Sequence, residues 1–253
     1  MNVLIISDNF EKEYLPQEKQ EDFDFIKWKE EKIKPSLNEY DIFVIDLCFS
    51  ENRDSLNFIK DVYLSLEQKL NRELIQEGLV LIIISGYENK KIFDYENIEE
   101  EGDNKNQEGS SKYGPEMIDK VKLTYDFLKR IDVEIYNRIE FIVGKRFAKP
   151  SETVFSDYFN HVSKFFMTLN LHLSQDDNFE KISKTAGFGS AWVSFGKKTG
   201  KGFLLIFPGY DLDKKKDSFI AISKILDIYY EKQQKIIFEK ENDSGSKTQP
   251  APV

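Results

Sequence analysis

The sequence predicts a three-layer α/β domain built on a mainly parallel sheet, and three observations carry that prediction. Gly78–Gly86 (GLVLIIISG) holds six consecutive apolar residues, Leu79 to Ile84, where a strand with one wet face would alternate. A second apolar run, Asp41 to Leu47 (DIFVIDL), stands upstream. Between the two, Leu56, Ile59, Tyr63, Leu66, Leu70 and Leu74 recur at the spacing of one helix stripe. Strand, helix and buried strand in that order are the signature of a parallel sheet covered on both faces.

Taken in order, Val3 to Ile6 is the first strand and ends at Ser7-Asp8-Asn9. Residues 11–22 are almost wholly polar and read as a solvated loop or short helix, and Phe23 to Trp28 alternates enough for a strand nearer the edge. Asp41 to Leu47 follows as a third strand, with Asp46 at its end expected to reach water. Gly78 stands just past the last periodic leucine, where a helix-ending glycine belongs. Glu88 to Tyr113 carries eight acids against four bases and reads as a mobile acidic insertion.

A helix resumes after Pro115 with Met117, Val121, Tyr125 and Leu128 on one side, and Ile139 to Val143 is a further strand. Residues 150–173 are rich in aromatics and read as an irregular or helical segment packed on the sheet. Ala191 to Phe195 and Phe203 to Phe207 are expected to form an antiparallel hairpin joined by the loop Gly196–Gly202. Phe219, Ile222, Leu226 and Tyr229 mark a last helix, and ENDSGSKTQPAPV after Phe238 reads as a tail or linker. The expected division is one α/β domain over 1–238 and a disordered tail over 239–253.

Composition bounds the function. At 40% hydrophobic residues the chain is too apolar to be disordered as a whole. A net charge of -9 argues against a broad nucleic-acid footprint. The single cysteine, Cys48, excludes an internal disulfide and a cysteine-based zinc cluster. The apolar start is too short for a signal peptide, and no run approaches the ~20 residues of a membrane span, so the expectation is a cytoplasmic protein with no membrane association.

No strong catalytic motif stands out. In the basic loop Gly196–Gly202, Lys201 is followed by Gly202 and a strand, not by Ser or Thr and a helix, so a turn fits better than a phosphate-binding loop. Cys48 lacks the small neighbours of a nucleophile on a tight turn and reads as a buried structural thiol. His161 and His172 match no standard metal-ligand spacing. Ser85 lies at a strand end without the Gly-x-Ser-x-Gly elbow of a hydrolase.

The polar residues at predicted strand ends form the more informative set. Carboxyl ends of neighbouring parallel strands converge on one crevice, which makes Asp8, Asp46, Ser85 and Gly86 candidate ligand-binding residues, with Lys149 nearby. Two carboxylates there could hold a divalent cation beside a phosphoryl group. That set resembles a response-regulator receiver, with Asp46 at the phosphoacceptor position and Lys149-Pro150 as the matching dipeptide. It departs from receivers in having Asp8-Asn9 for their acidic pair, in the insertion, and in the chain that continues past Pro150.

A second resemblance covers most of the chain. Glu39–Leu47 (EYDIFVIDL), Glu77–Gly86 (EGLVLIIISG) and Ser183–Asp211 together resemble glutamine-amidotransferase-like domains, the last through a strand, a Gly-Lys-Gly turn and a strand closing on Pro-Gly. The resemblance implies a flavodoxin-like sheet with helices on both faces. Catalytic members carry a Gly-x-Cys-x-Gly elbow with a later His and Glu, and no residue here matches those positions. The implied function is a non-catalytic binding or protein-interaction module, a sensor or scaffold in a larger assembly, with a protein partner and no cofactor. The rival is a receiver-like, metal-dependent phosphoacceptor or small-nucleotide sensor that uses the same strand ends.

Overall fold

The computed structural model describes residues 1–27, 39–46, 48, 72–85, 128–131, 139–143, 153–160, 167–171, 179–184 and 192–245. Among the described residues nine strands run in chain order: β1 (Val3–Ile6), β2 (Phe23–Ile26), β3 (Ile42–Asp46), β4 (Val80–Ser85), β5 (Ile139–Val143), β6 (Met167–Leu171), β7 (Phe179–Lys184), β8 (Trp192–Thr199) and β9 (Gly202–Pro208). Helices α1 (Arg72–Glu77), α2 (Thr153–Phe159) and α3 (Lys215–Gly245) accompany them. The strands form one sheet in the order β2-β1-β3-β4-β9-β8-β6-β5, with β7 also paired to β8.

The sheet has two halves. From β2 through β9 every neighbour is parallel, in a register that sets Ile5 beside Val44, Val44 beside Ile82 and Ile82 beside Leu205. Beyond β9 every pairing is antiparallel. The parallel strands are apolar at nearly every position because both of their faces are covered. Val3, Ile5, Ile42, Val44, Val80, Ile82, Ile84, Leu205 and Phe207 pack against Phe219, Ile222, Leu226 and Tyr229 of α3. On the other face Leu4, Ile6, Phe43, Ile45, Leu81, Ile83, Leu204 and Ile206 are buried as completely. Each such side chain contributes roughly 1.5–3 kcal/mol relative to exposure, so this block dominates the core.

At the strands' N-terminal end, glycines allow close packing. Gly78 ends α1 with φ 138, as its place in the sequence predicted. The β8–β9 turn is only Gly200-Lys201, with Gly200 at φ 63, the positive value a II′ turn requires at its first central residue. That turn docks on the end of α1, where the Lys201 amide donates to the Gln76 carbonyl at 2.8 Å. A Cβ at Gly202 would lie 2.1 Å from the Ile75 carbonyl oxygen and 2.2 Å from that of Leu79. The Gln233 amide of α3 donates to the Gly78 carbonyl and closes the same end.

Several expectations change. The expected Gly196–Gly202 loop is mostly strand, since β8 runs through Thr199 and carries Lys197 and Lys198, leaving only Lys201 of its basic residues in the turn. The 150–173 segment contains α2 and then β6, and β7 has no counterpart in the sequence reading. The antiparallel part is therefore larger than one hairpin. The last helix does not stop at Phe238 but continues to Gly245, its extension beginning with the strong helix formers Glu239, Lys240 and Glu241. The acidic insertion 88–113, the stripe from Leu56 to Leu70, and Met117, Val121 and Tyr125 lie outside the described residues.

Candidate functional site

Where β1, β3 and β9 reach their C-terminal ends, the chain gathers polar groups around one carboxylate. The pleat puts Asp46 on the same face as Ile42 and Val44, the face that α3 covers. Asp46 is 1% exposed, so the expectation that it would reach water is corrected: the turns after β1 and β9 and the rings of α3 close over the strand end. Phe10 and Tyr210 both pack edge-on against Phe219, at centroid distances of 5.1 and 5.5 Å.

Both Asp46 oxygens accept hydrogen bonds. Oδ1 accepts from the Cys48 amide at 2.9 Å. Oδ2 accepts from the Ser7 hydroxyl at 2.5 Å, the Tyr210 hydroxyl at 2.7 Å and Asn9 Nδ2 at 3.3 Å. Asn9 Nδ2 also donates to the Cys48 carbonyl at 2.6 Å. The Ser7 oxygen in turn accepts from the amides of Asn9 and Phe10, at 2.9 and 3.2 Å. From α2, the Tyr158 hydroxyl donates to the Pro208 carbonyl at 2.6 Å and fixes the end of β9.

Burial sets the electrostatics. It pushes the Asp46 carboxyl above the usual carboxylate range, against the opposing pull of its bonds from Ser7, Tyr210, the Cys48 amide and Asn9. Burial likewise holds the Tyr210 hydroxyl well above its ordinary value, reinforced by Asp46 and Cys48. Tyr158 is raised by burial too, then by Cys48 and Asp46. The arrangement is chemically a wired carboxylate: its oxygens are occupied and its neighbours are donors.

Of the residues the sequence singled out, Asp46 is the centre of this cluster. Asp8 is half-buried between Ser7 and Asn9 in the β1 turn. Ser85 ends β4 in register with Pro208, one position beyond Ile84, which is the residue beside Asp46. Gly86, Lys149, His161 and His172 lie outside the described residues. Cys48 is buried, in keeping with a structural thiol. Among the described residues no group of three or more His, Cys, Asp or Glu is placed to hold a metal ion.

The sequence reading missed Ser7, Asn9, Tyr158 and Tyr210. Tyr210 could have been found from its place two residues past β9, had that strand been recognised as a parallel neighbour of β4.

No family model and no curated protein matches the chain. Among solved structures it is similar to the cytoplasmic protein STM1381 from Salmonella typhimurium LT2, at 12% identity and a TM-score of 0.44, over 88% of this chain and 98% of that one. It is also similar to β-galactosidase from Bacillus circulans sp. alkalophilus, at 8% identity and a TM-score of 0.39, over 89% of this chain and 31% of the galactosidase. The cold-adapted β-galactosidase from Rahnella sp. R3 aligns at 10% identity and a TM-score of 0.38, over 90% of this chain and 31% of that one. Overlaps this loose leave the chemistry to be argued from the residues themselves. Among the described residues no helix is long and apolar enough to cross a membrane.

Proposed function

We propose that this chain is a non-catalytic binding or protein-interaction module, a degenerate amidotransferase-like domain that serves as sensor or scaffold through the strand-end face. The observation that carries the reading is the state of Asp46: a fully buried carboxylate bonded by Ser7, Asn9, Tyr210 and the Cys48 amide holds structure together rather than presenting a reactive oxygen. The parallel strand order β2-β1-β3-β4-β9 supports the flavodoxin-like part of the reading, since it follows the 2-1-3-4-5 pattern of that fold. Cys48 is buried and bonded through its backbone, a poor setting for a nucleophilic thiol.

A receiver-like phosphoacceptor is the second reading. The position of Asp46 at the end of β3, between β1 and β4, favours it, and the burial of the carboxyl weighs against it. Incubation with acetyl phosphate and Mg²⁺, read by intact mass, separates the two. An unmodified mass is expected; one phosphoryl adduct mapped to Asp46 overturns the non-catalytic reading. Ammonia release from glutamine that disappears in Cys48→Ala would overturn it as well. A thermal-shift series with Mg²⁺, nucleotides and glutamine then distinguishes a small-ligand sensor, which a specific ligand would stabilise, from a scaffold for protein, which none would.

A further inference from the structure

We propose that residues 11–22, the link between β1 and β2, form a strap that lifts off α3 while the sheet stays folded, and that its lifting opens the strand-end face. A crossover between parallel neighbours ordinarily carries an α-helix. This one is built from two 3-10 turns, Lys12–Tyr14 and Gln17–Asp22, neither of which has a side-chain cap at its start. Its ends are planted in the core through Phe10 and Phe23, both fully buried, but within 11–22 only Leu15 is buried. Among the described residues the strap's backbone bonds stay inside it: the Tyr14 amide donates to the Glu11 carbonyl, Leu15 to Lys12 and Lys19 to Pro16. Lifting the strap therefore breaks no backbone bond to α3.

Side chains alone fasten it to its surroundings. Lys19 pairs with Asp227 of α3, and the Lys215 ammonium lies 5.9 Å from the centre of the Tyr14 ring. Glu11 pairs at 3.3 Å with Lys27, just past β2. These groups are partly exposed, so water competes for each contact and such pairs hold weakly. One buried side chain, polar contacts and local hydrogen bonds are the marks of a segment that opens before the core does. The root of the strap is wired to the Asp46 cluster. Tyr14 packs edge-on against Phe10 at a centroid distance of 6.4 Å. The Phe10 and Asn9 amides donate to the Ser7 oxygen, whose hydroxyl donates to Asp46. Lifting takes Tyr14 off Phe10 and lets water, or a ligand, reach that chain of bonds.

The strap regulates access to the strand-end face and therefore rests on the reading of that face as the binding surface. Amide hydrogen exchange of the intact protein, followed residue by residue by NMR and corrected for intrinsic rates, tests it. In the wild type the amides of Asn9, Phe10, Tyr14, Leu15 and Lys19 should share one opening. That opening should be at least about a hundredfold more frequent than the one at Ile5 and Val44, whose release needs the sheet to unfold. Low urea should speed exchange at Ile5 and Val44 and leave the strap set nearly unchanged, since a small opening exposes little surface. Leu15→Ala should raise the opening at Asn9 and Phe10 about thirtyfold, the low end for truncating a buried leucine. A strap that opens only together with Ile5 and Val44 overturns the proposal. So does a Leu15→Ala variant in which the strap amides speed up while Asn9 and Phe10 stay as they were. Should Leu15→Ala fail to fold, Lys19→Ala replaces it, with about a twofold rise expected at the same two amides and no rise overturning the proposal. A phosphoryl adduct on Asp46 in the mass experiment would sink the functional reading, whereas a strap that opens only with the sheet sinks the strap alone.

Discussion

The two halves of the sheet are held by different means. In the parallel half, β1, β3, β4 and β9 are apolar on both faces, and Asp46, the only buried acidic or basic side chain at their C-terminal ends among the described residues, is wrapped in donors. In the antiparallel half, β7 reads FEKISK: Phe179 and Ile182 are buried, while Glu180 and Lys181 between them are partly exposed. Glu180 there accepts from the Tyr229 hydroxyl at 2.8 Å and pairs with Lys232 of α3 at 3.0 Å. The parallel half is stabilised mainly by removing apolar surface from water, whereas β7 adds to its two buried apolar side chains a rim of polar contacts with α3. β9 belongs to both, parallel to β4 and antiparallel to β8.

The comparison breaks most visibly in paired truncations. Ile82→Ala, at a central and fully buried position, should cost about 4 kcal/mol in urea unfolding, within the usual range for large-to-small core changes. Ile182→Ala, at 6% exposure on a strand outside the main order, should cost about 2 kcal/mol. Equal losses would mean that the antiparallel half is as tightly packed as the parallel one. Gly202→Ala tests the seam between them and should cost about 3 kcal/mol, since the new Cβ meets two backbone carbonyls that cannot turn aside. A neutral result would show that the β8–β9 turn can lift off α1.

A smaller effect separates the polar end of the parallel half from its apolar middle. The Asp46 pKa is raised in the folded protein, so between the ordinary carboxyl range and the raised value the folded state holds a proton that the unfolded state has lost. The stability contributed is complete below the ordinary pKa and disappears as pH rises through the raised one. Urea midpoints of wild type and Asp46→Asn should therefore diverge along a pH series, with the wild type losing ground as pH increases. A constant difference between the two would place the titration elsewhere.

How much of this could be read from the sequence follows the same division. Leu79–Ile84 and Asp41–Leu47 announced their strands because a doubly covered strand needs apolar residues at every position. The stripe Phe219, Ile222, Leu226 and Tyr229 announced α3 because one helix face meets the sheet. Met167–Leu171 (MTLNL) and Phe179–Lys184 escaped, being short and interrupted by polar residues that suit a loop as well as a strand. The site was half legible. Asp46 stood out as an acid ending an apolar run, but its burial depends on Tyr210, 164 positions away, and on Ser7, 39 positions away. No local pattern encodes such a meeting; only the strand order brings β1, β3 and β9 to one end.

The smallest expected effect concerns the contact between α2 and α3, where two adjacent residues of α2 make bonds of unlike worth. Asp157 pairs with Lys224 at 3.1 Å, both side chains about half exposed, and water competes for each of them. Tyr158 next to it is fully buried and donates to the Pro208 carbonyl. Tyr158→Phe leaves that carbonyl without its donor in a site closed to water and should cost about 1–2 kcal/mol. Lys224→Ala should cost less than about 0.5 kcal/mol, and less still at high salt, because an exposed pair gains little Coulomb energy and gives up side-chain freedom. Urea unfolding of the two variants side by side measures the contrast directly. A Lys224→Ala loss as large as that of Tyr158→Phe would mean that the pair, rather than the buried hydroxyl, sets the position of α2 over the end of β9.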